Sequence, residues 1–227
     1  MLAEVSAVDL NRRAVVADGR PIPFDKLIIA TGARHAYFGH DEWEAHAPGL
    51  KRIDDAIALR SQILLAFEKA ETEEDDEERR RPLTFVIVGA GPTGVEMAGA
   101  IADLTPKALA AEFRNIDPRK ARIVLIEAGP RLLPSFSAPS SSAAARALEK
   151  LGVEVRLDCS VTSCDADGVI AGDERIEART IVWAAGVMAS KVGSWLERIA
   201  PDVCSWGPIS AFPAIMTSTS LAMRSMS

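Results

Sequence analysis

Six residues near the middle of the chain, Gly89-Ala90-Gly91-Pro92-Thr93-Gly94, have the spacing of a phosphate-binding turn. They follow the apolar run Leu83 to Val88 and precede a stretch rich in small residues, Val95, Ala98, Gly99 and Ala102. Strand, glycine turn and helix in that order bind the pyrophosphate of a dinucleotide. Gly89 permits the tight turn, Gly91 lets backbone approach the phosphates with no Cβ in the way, and Gly94 allows close helix-on-strand packing. Pro92 suits the first helical position, where no N–H is needed. The helix start then offers unpaired N–H groups and partial positive charge.

The same chemistry asks for an acid at the end of the next strand, to hold the adenosine ribose. Glu127 stands there, at the end of the run Arg122 to Glu127. It lies beyond the usual interval of about 20 residues because an extended helix and loop at 103–120 intervene. A carboxylate at that place accepts from the 2′-hydroxyl and repels a 2′-phosphate, which favours NADH over NADPH. Arg131, four residues on, could serve a phosphate and keeps NADPH open.

Other reactive residue types carry less. His35, His40 and His46 stand among Asp41, Glu42 and Glu44, but no pair has a zinc-site spacing and soft ligands are absent, so no metal site is expected. Cys159 and Cys164 read as buried or turn cysteines. Trp43 and Trp183 read as core or interface aromatics. Ser137 to Ser142 read as a loop and helix cap, since no His/Asp partner pattern accompanies them.

The elements that must position these residues follow from the pattern of the chain. Its 227 residues, 48% of them apolar, suffice for one large domain or two small ones. The net charge of −6 argues against a nucleic-acid module, and seven acids between Glu71 and Glu78 account for all of it. No apolar stretch approaches the roughly 20 residues of a membrane helix, and no signal peptide is visible. Three cysteines make no even disulfide framework, so a cytoplasmic α/β protein is expected.

Residues 1–33 read as short strands, with Lys26-Leu27-Ile28-Ile29-Ala30 a continuous apolar strand before Thr31-Gly32. A loop at 34–50 is followed by a helix from Asp54, with Ala56, Leu59, Ile63, Phe67 and Ala70 on one face. That helix runs into the acidic stretch and ends before Pro82. Beyond Pro82 come strands at 83–88 and 122–127, and a helix capped from Ser140 to Ser142. A third strand, Val153 to Leu157, precedes the closing run Thr180 to Gly186. Alternating strands and helices imply a mostly parallel sheet with right-handed crossovers.

Several strings together resemble the type II NADH:quinone oxidoreductases of the pyridine nucleotide-disulfide oxidoreductase superfamily. They are Phe24-Asp25-Lys26-Leu27-Ile28-Ile29-Ala30-Thr31-Gly32-Ala33, Tyr37-Phe38-Gly39-His40-Asp41-Glu42-Trp43, Gly89 through Glu96, Glu127-Ala128-Gly129-Pro130-Arg131 and Ala184-Ala185-Gly186-Val187. The resemblance covers residues 1 to about 196. It implies an FAD domain interrupted by an NADH domain, hydride transfer from NADH to FAD, and onward reduction of a membrane quinone. Thr31 and Gly32 then match a turn close to FAD. Gly89, Gly91, Gly94 and Glu127 match NADH contacts, and Ala185 and Gly186 a turn near the nicotinamide end. Glu96 matches a catalytic glutamate where nicotinamide, flavin and quinone meet. Its alternative reading is an acid in the first helical turn, favoured by the dipole.

The expected fold is accordingly α/β: a doubly wound Rossmann-type NADH-binding domain plus an incomplete FAD-binding domain. Residues 1–50 would be the partial FAD domain, 51–81 a connecting helix and acidic linker, and 82–196 the NAD(H)-binding domain. The parent enzyme would be peripheral and dimeric at the cytoplasmic face of the membrane. Its chain would carry no transmembrane segment.

Three departures from the family stand out. No glycine fingerprint for FAD precedes residue 89. Pro106 falls within an expected helix, which it should kink or end. Residues 197–227 carry four charged residues and lack the family's flavin-holding Gly-Asp pair. Read one base out of register from Leu196, however, the codons permit a family-like segment ending in Val-Ile-Gly-Asp. The Met216–Thr217 junction then must read Asp and the Trp206–Gly207 junction Gly. The tail is therefore expected to be a frameshifted, non-native sequence in a chain truncated at both ends, with exposed strand edges and poor solubility. Two other functions remain open: a non-catalytic NAD-binding fragment, and a soluble NAD(P)H-dependent flavin reductase of the disulfide or ferredoxin type.

Overall fold

A computed structural model describes residues 3–105 and 112–189. The chain divides into two compact units: one holds residues 3–34 and 187–189 of those described, the other residues 35–186.

In the smaller unit, β1 (Val5–Asp9), β2 (Ala14–Ala17) and β3 (Arg20–Pro23) form an antiparallel meander. Asp18 and Gly19, both with positive φ, make the β2–β3 turn. The run Lys26 to Ala30 is not a strand; Leu27 forms only an isolated bridge, and Ile28 is 68% exposed. A continuous apolar strand needs neighbours on both faces, and among the described residues no strand flanks this one. A short β4 (Ala33–His35) follows.

The larger unit begins with a 3-10 turn at Asp41–Ala45 inside the expected loop. Helix α1 (Ile53–Thr72) buries Leu59, Ile63, Ala66, Phe67 and Ala70 on one face. At its start the Asp55 carboxylate accepts from the Lys51 and Arg52 N–H groups. The helix does not run on through the acidic stretch. It stops at Thr72, and a separate α2 (Asp76–Arg80) is capped by the Asp75 side chain, which takes the Glu77 and Glu78 N–H groups.

Next come β5 (Thr84–Val88), α3 (Pro92–Leu104), β6 (Arg122–Ile126), α4 (Ala138–Lys150) and β7 (Val153–Arg156). The cap of α4 is Ser137, not Ser140 to Ser142, because its hydroxyl is the one that reaches the Ser140 N–H and Pro139 falls in the first turn. Helix α3 ends at Leu104, capped by Thr105, two residues ahead of Pro106, which lies outside the described residues.

Three antiparallel strands, β8 (Val161–Asp165), β9 (Gly168–Ala171) and β10 (Glu174–Glu177), then precede β11 (Thr180–Trp183). They were not anticipated from the sequence, although Asp167-Gly168 and Gly172-Asp173 are hairpin turn signals. Strand β12 (Val187–Ala189) pairs with β4.

Strands β5, β6, β7 and β11 form one parallel sheet in the order β11-β5-β6-β7. With β5 as first strand the order reads 3-2-1-4, that of a Rossmann-type half. Both faces are buried. Phe85, Ile87, Ile123 and Leu125 pack with α1, α3 and α4, whereas Val86, Val88, Val124 and Ile126 pack with Val169, Ile176 and the aromatic residues Tyr37, Trp43 and Trp183. The two-residue strand period explains why alternate residues enter different layers. The α/β class with a parallel dinucleotide-type sheet is therefore present. A second, FAD-binding domain is not established by the small meander. Among the described residues no helix is long and apolar enough to cross a membrane.

Candidate functional site

The glycine turn lies where β5 leaves the sheet. Gly89 has φ +100°, and a Cβ there would fall on the Ala184 and Ala185 backbone, since the end of β11 passes directly beside it. A Cβ on Gly94 would fall on the Gly89 carbonyl oxygen. Gly91 is different: a Cβ there would meet nothing within 4 Å. Two glycines thus serve packing, and the middle one faces open space at the start of α3.

No side chain caps that start, where Gly91 is the N-cap and Pro92 follows. Among the described residues the N–H groups of the first turn have no side-chain acceptor, which suits an anionic oxygen. An uncapped helix start beside an open glycine fits a dinucleotide pyrophosphate.

Glu127 follows β6 and its carboxylate turns back to the glycine turn. One oxygen accepts the Ala90 N–H at 2.7 Å and the other the Gly129 N–H at 2.9 Å. A carboxylate has about four acceptor positions, so these two bonds leave about two open. The long interval is filled by α3 and the crossover as far as Ala121. Arg131 is engaged elsewhere: its guanidinium donates to the carbonyls of Pro134 (2.6 Å) and Phe136 (3.0 Å).

Ala185 and Gly186 lie between β11 and β12. The Gly186 carbonyl accepts from the Ala36 N–H, and a Cβ on Gly186 would meet the Phe38 ring at 2.9 Å. Phe38 was not singled out for a role by the sequence. It is 70% exposed with φ +54°, a conformation bulky residues seldom adopt. Beneath it Trp183 donates its indole N–H to the Ala36 carbonyl, and Tyr37 its hydroxyl to Ala47. Burial holds the Tyr37 phenol far above its usual pKa.

Glu96 is exposed in the second turn of α3; the first turn contains no acid, so the dipole reading of this residue loses its basis. Thr31 and Gly32 belong to the smaller unit, both exposed, Gly32 with φ +70° and open space where a Cβ would be. The fit to FAD rests on this turn alone among the described residues.

The histidines do separate things: His46 is exposed and donates its backbone N–H to the Trp43 carbonyl. His40 stacks on Trp43 and bonds Glu42, and His35 lies against Gly49. Among the described residues no group of three or more potential ligands could hold a metal. Cys164 is buried and its thiol is pushed up to about 11 by desolvation, first, and by Asp165, while Cys159 is half-buried.

This sheet order and glycine turn are those of a Rossmann-type dinucleotide-binding architecture. The chain belongs to the pyridine nucleotide-disulphide oxidoreductase family, whose profile matches residues 1–209. It is homologous to the type II NADH:quinone oxidoreductase NdhA of Mycobacterium tuberculosis, 46% identical over 205 residues, covering 86% of this chain and 44% of that protein. The Staphylococcus aureus enzyme of the same name class is 32% identical over 196 residues, covering 84% and 47%. The chain thus spans about half the length of the relatives it matches. The fold is shared with a solved Plasmodium falciparum NDH2 in complex with NADH, with TM-score 0.81, 24% identity and coverage of 89% of this chain and 44% of that one. A Rhodopseudomonas palustris ferredoxin reductase is more distant, with TM-score 0.62, 19% identity and coverage of 86% and 43%. The frameshift expected beyond residue 196 falls outside the described residues.

Proposed function

We propose that residues 35–186 bind NADH, and that the chain serves an FAD-dependent NADH dehydrogenase that passes electrons to a quinone. The observation that carries this is the open Gly91 at the uncapped start of α3, with Glu127 hydrogen-bonded to the neighbouring Ala90. In this reading Gly91 and the first-turn N–H groups take the pyrophosphate, and the free acceptor positions of Glu127 take the ribose hydroxyls. A carboxylate there disfavours a 2′-phosphate, so NADH is preferred to NADPH.

The Ala185–Gly186 turn lies beside Gly89 and would position the nicotinamide end. Glu96, with no hydrogen bond or ion pair among the described residues, would hold or release a proton at its carboxylate near the acceptor. FAD, when bound, supplies the two-electron and one-electron chemistry that links hydride to quinone; Thr31 and Gly32 would contact it. For the longer protein this reading adds a peripheral setting at the cytoplasmic face of the membrane, as a dimer.

A second reading is favoured by the limited FAD contact: the chain binds NADH but keeps no flavin of its own. The test mixes the full chain with NADH, added FAD and a soluble quinone, and follows NADH absorbance alongside NADH binding. Oxidation that needs both FAD and quinone supports the enzyme. Binding without oxidation supports the second reading, and a folded chain that binds no NADH contradicts both.

A further inference from the structure

The residue between the first two glycines is held by both of its backbone groups. The Ala90 N–H donates to Glu127, and the Ala90 carbonyl accepts from the Leu133 N–H at 2.8 Å. Ala90 itself is fully buried. Both grips come from one segment, residues 127–136, which leaves the end of β6.

That segment is itself constrained. Leu133 sits in the left-handed region at φ +48°, a conformation a branched residue holds only where its surroundings impose it. On one side of it, Leu132 is buried in the core and its carbonyl accepts from the Ser141 hydroxyl of α4. On the other, the Phe136 N–H donates to the Leu133 carbonyl, and Arg131 reaches over to bind the Pro134 and Phe136 carbonyls. Carbonyls at 134 and 136 converge on one guanidinium only if the chain turns back between them, so Arg131 closes the loop that presents the Leu133 N–H.

We propose that Arg131 is a positioning residue for nucleotide binding: it locks the 131–136 loop so that Leu133 and Glu127 hold Ala90, and so the glycine turn, in its binding shape before any nucleotide arrives. It does so in place of acting as a ligand for a 2′-phosphate. The inference rests on the proposal that this turn binds NADH. It assigns Arg131 a contribution shared by NADH and NADPH, and leaves discrimination between them to Glu127.

The test uses the full chain with Arg131→Gln and Arg131→Lys. Calorimetry gives the NADH and NADPH affinities, and amide hydrogen exchange without nucleotide gives the protection of Ala90 and Leu133. In Arg131→Gln, exchange should quicken at those two amides and not at the β5 and β6 amides, and NADH affinity should fall about tenfold, the scale of one or two lost hydrogen bonds. Any NADPH affinity should fall by the same factor. Lysine, which can still donate to carbonyls, should restore part of both effects.

A loss confined to NADPH with unchanged exchange would make Arg131 a phosphate ligand and overturn the proposal. Unchanged affinity and exchange would overturn it as well, as would acceleration spread evenly over the sheet. If the unsubstituted chain binds no NADH while Arg131→Gln still frees Ala90 and Leu133, the nucleotide reading fails but the lock on the glycine turn stands.

Discussion

Each glycine of the turn has its own physical reason, and that reason predicts what a methyl group would do. At Gly89 an alanine would combine a positive φ with a Cβ on the Ala184–Ala185 backbone. Gly89→Ala should cost about 1–3 kcal/mol in a urea titration and should abolish NADH binding, because β11 must move away from the turn. His35 predicts a pH dependence. Its Nε2 is buried with no hydrogen-bond partner among the described residues, and its ring lies against Gly49. Burial, and then Lys51, holds its pKa below 6.5, whereas Asp55 and Glu44 pull the other way. The unfolded imidazole therefore takes up its proton first as pH falls. The stabilisation is complete above about 6.5 and is lost as pH falls from there through the lowered native value. Urea midpoints measured from pH 7.5 to 5 should drop in the unsubstituted chain and drop less in His35→Gln.

At the scale of elements, the crossover between α3 and β6 is fastened by a residue from the acidic run. The Glu71 carboxylate accepts the successive N–H groups of Arg114, Asn115 and Ile116, and the Glu71 carbonyl accepts the Asn115 side-chain amide. Desolvation raises the Glu71 pKa, but those three N–H groups outweigh it and hold the net value below the usual carboxylate range. Glu71→Gln should lower the urea midpoint and speed exchange at residues 114–116, readable by mass spectrometry. Strand β5, the glycine turn and α3 were legible in the sequence because apolar run, glycines and small-residue helix are local signals that agree. Glu71 was not, since a charge run shows nothing of which acid meets three backbone donors 43 or more residues away. The β8–β10 sheet was missed because its strands of four or five residues alternate weakly. The Lys26–Ala30 run was misread because periodicity reports burial that a neighbour must supply. The Arg131 lock is likewise invisible in sequence, as its acceptors are main-chain carbonyls.

For the whole molecule, the parallel sheet sets the glycine turn, Glu127 and the Ala185–Gly186 turn at the carboxyl ends of β5, β6 and β11. That is where open α/β sheets bind ligands. Both faces of the sheet are filled by described residues, which leaves its strand ends for chemistry. The measurement that tests this most directly is calorimetric titration of the purified full chain with NADH, with NADPH as comparator. One site for NADH, with weaker binding of NADPH and loss of binding in Gly89→Ala, is the predicted result. A folded chain that binds neither nucleotide, or that prefers NADPH, would contradict the account.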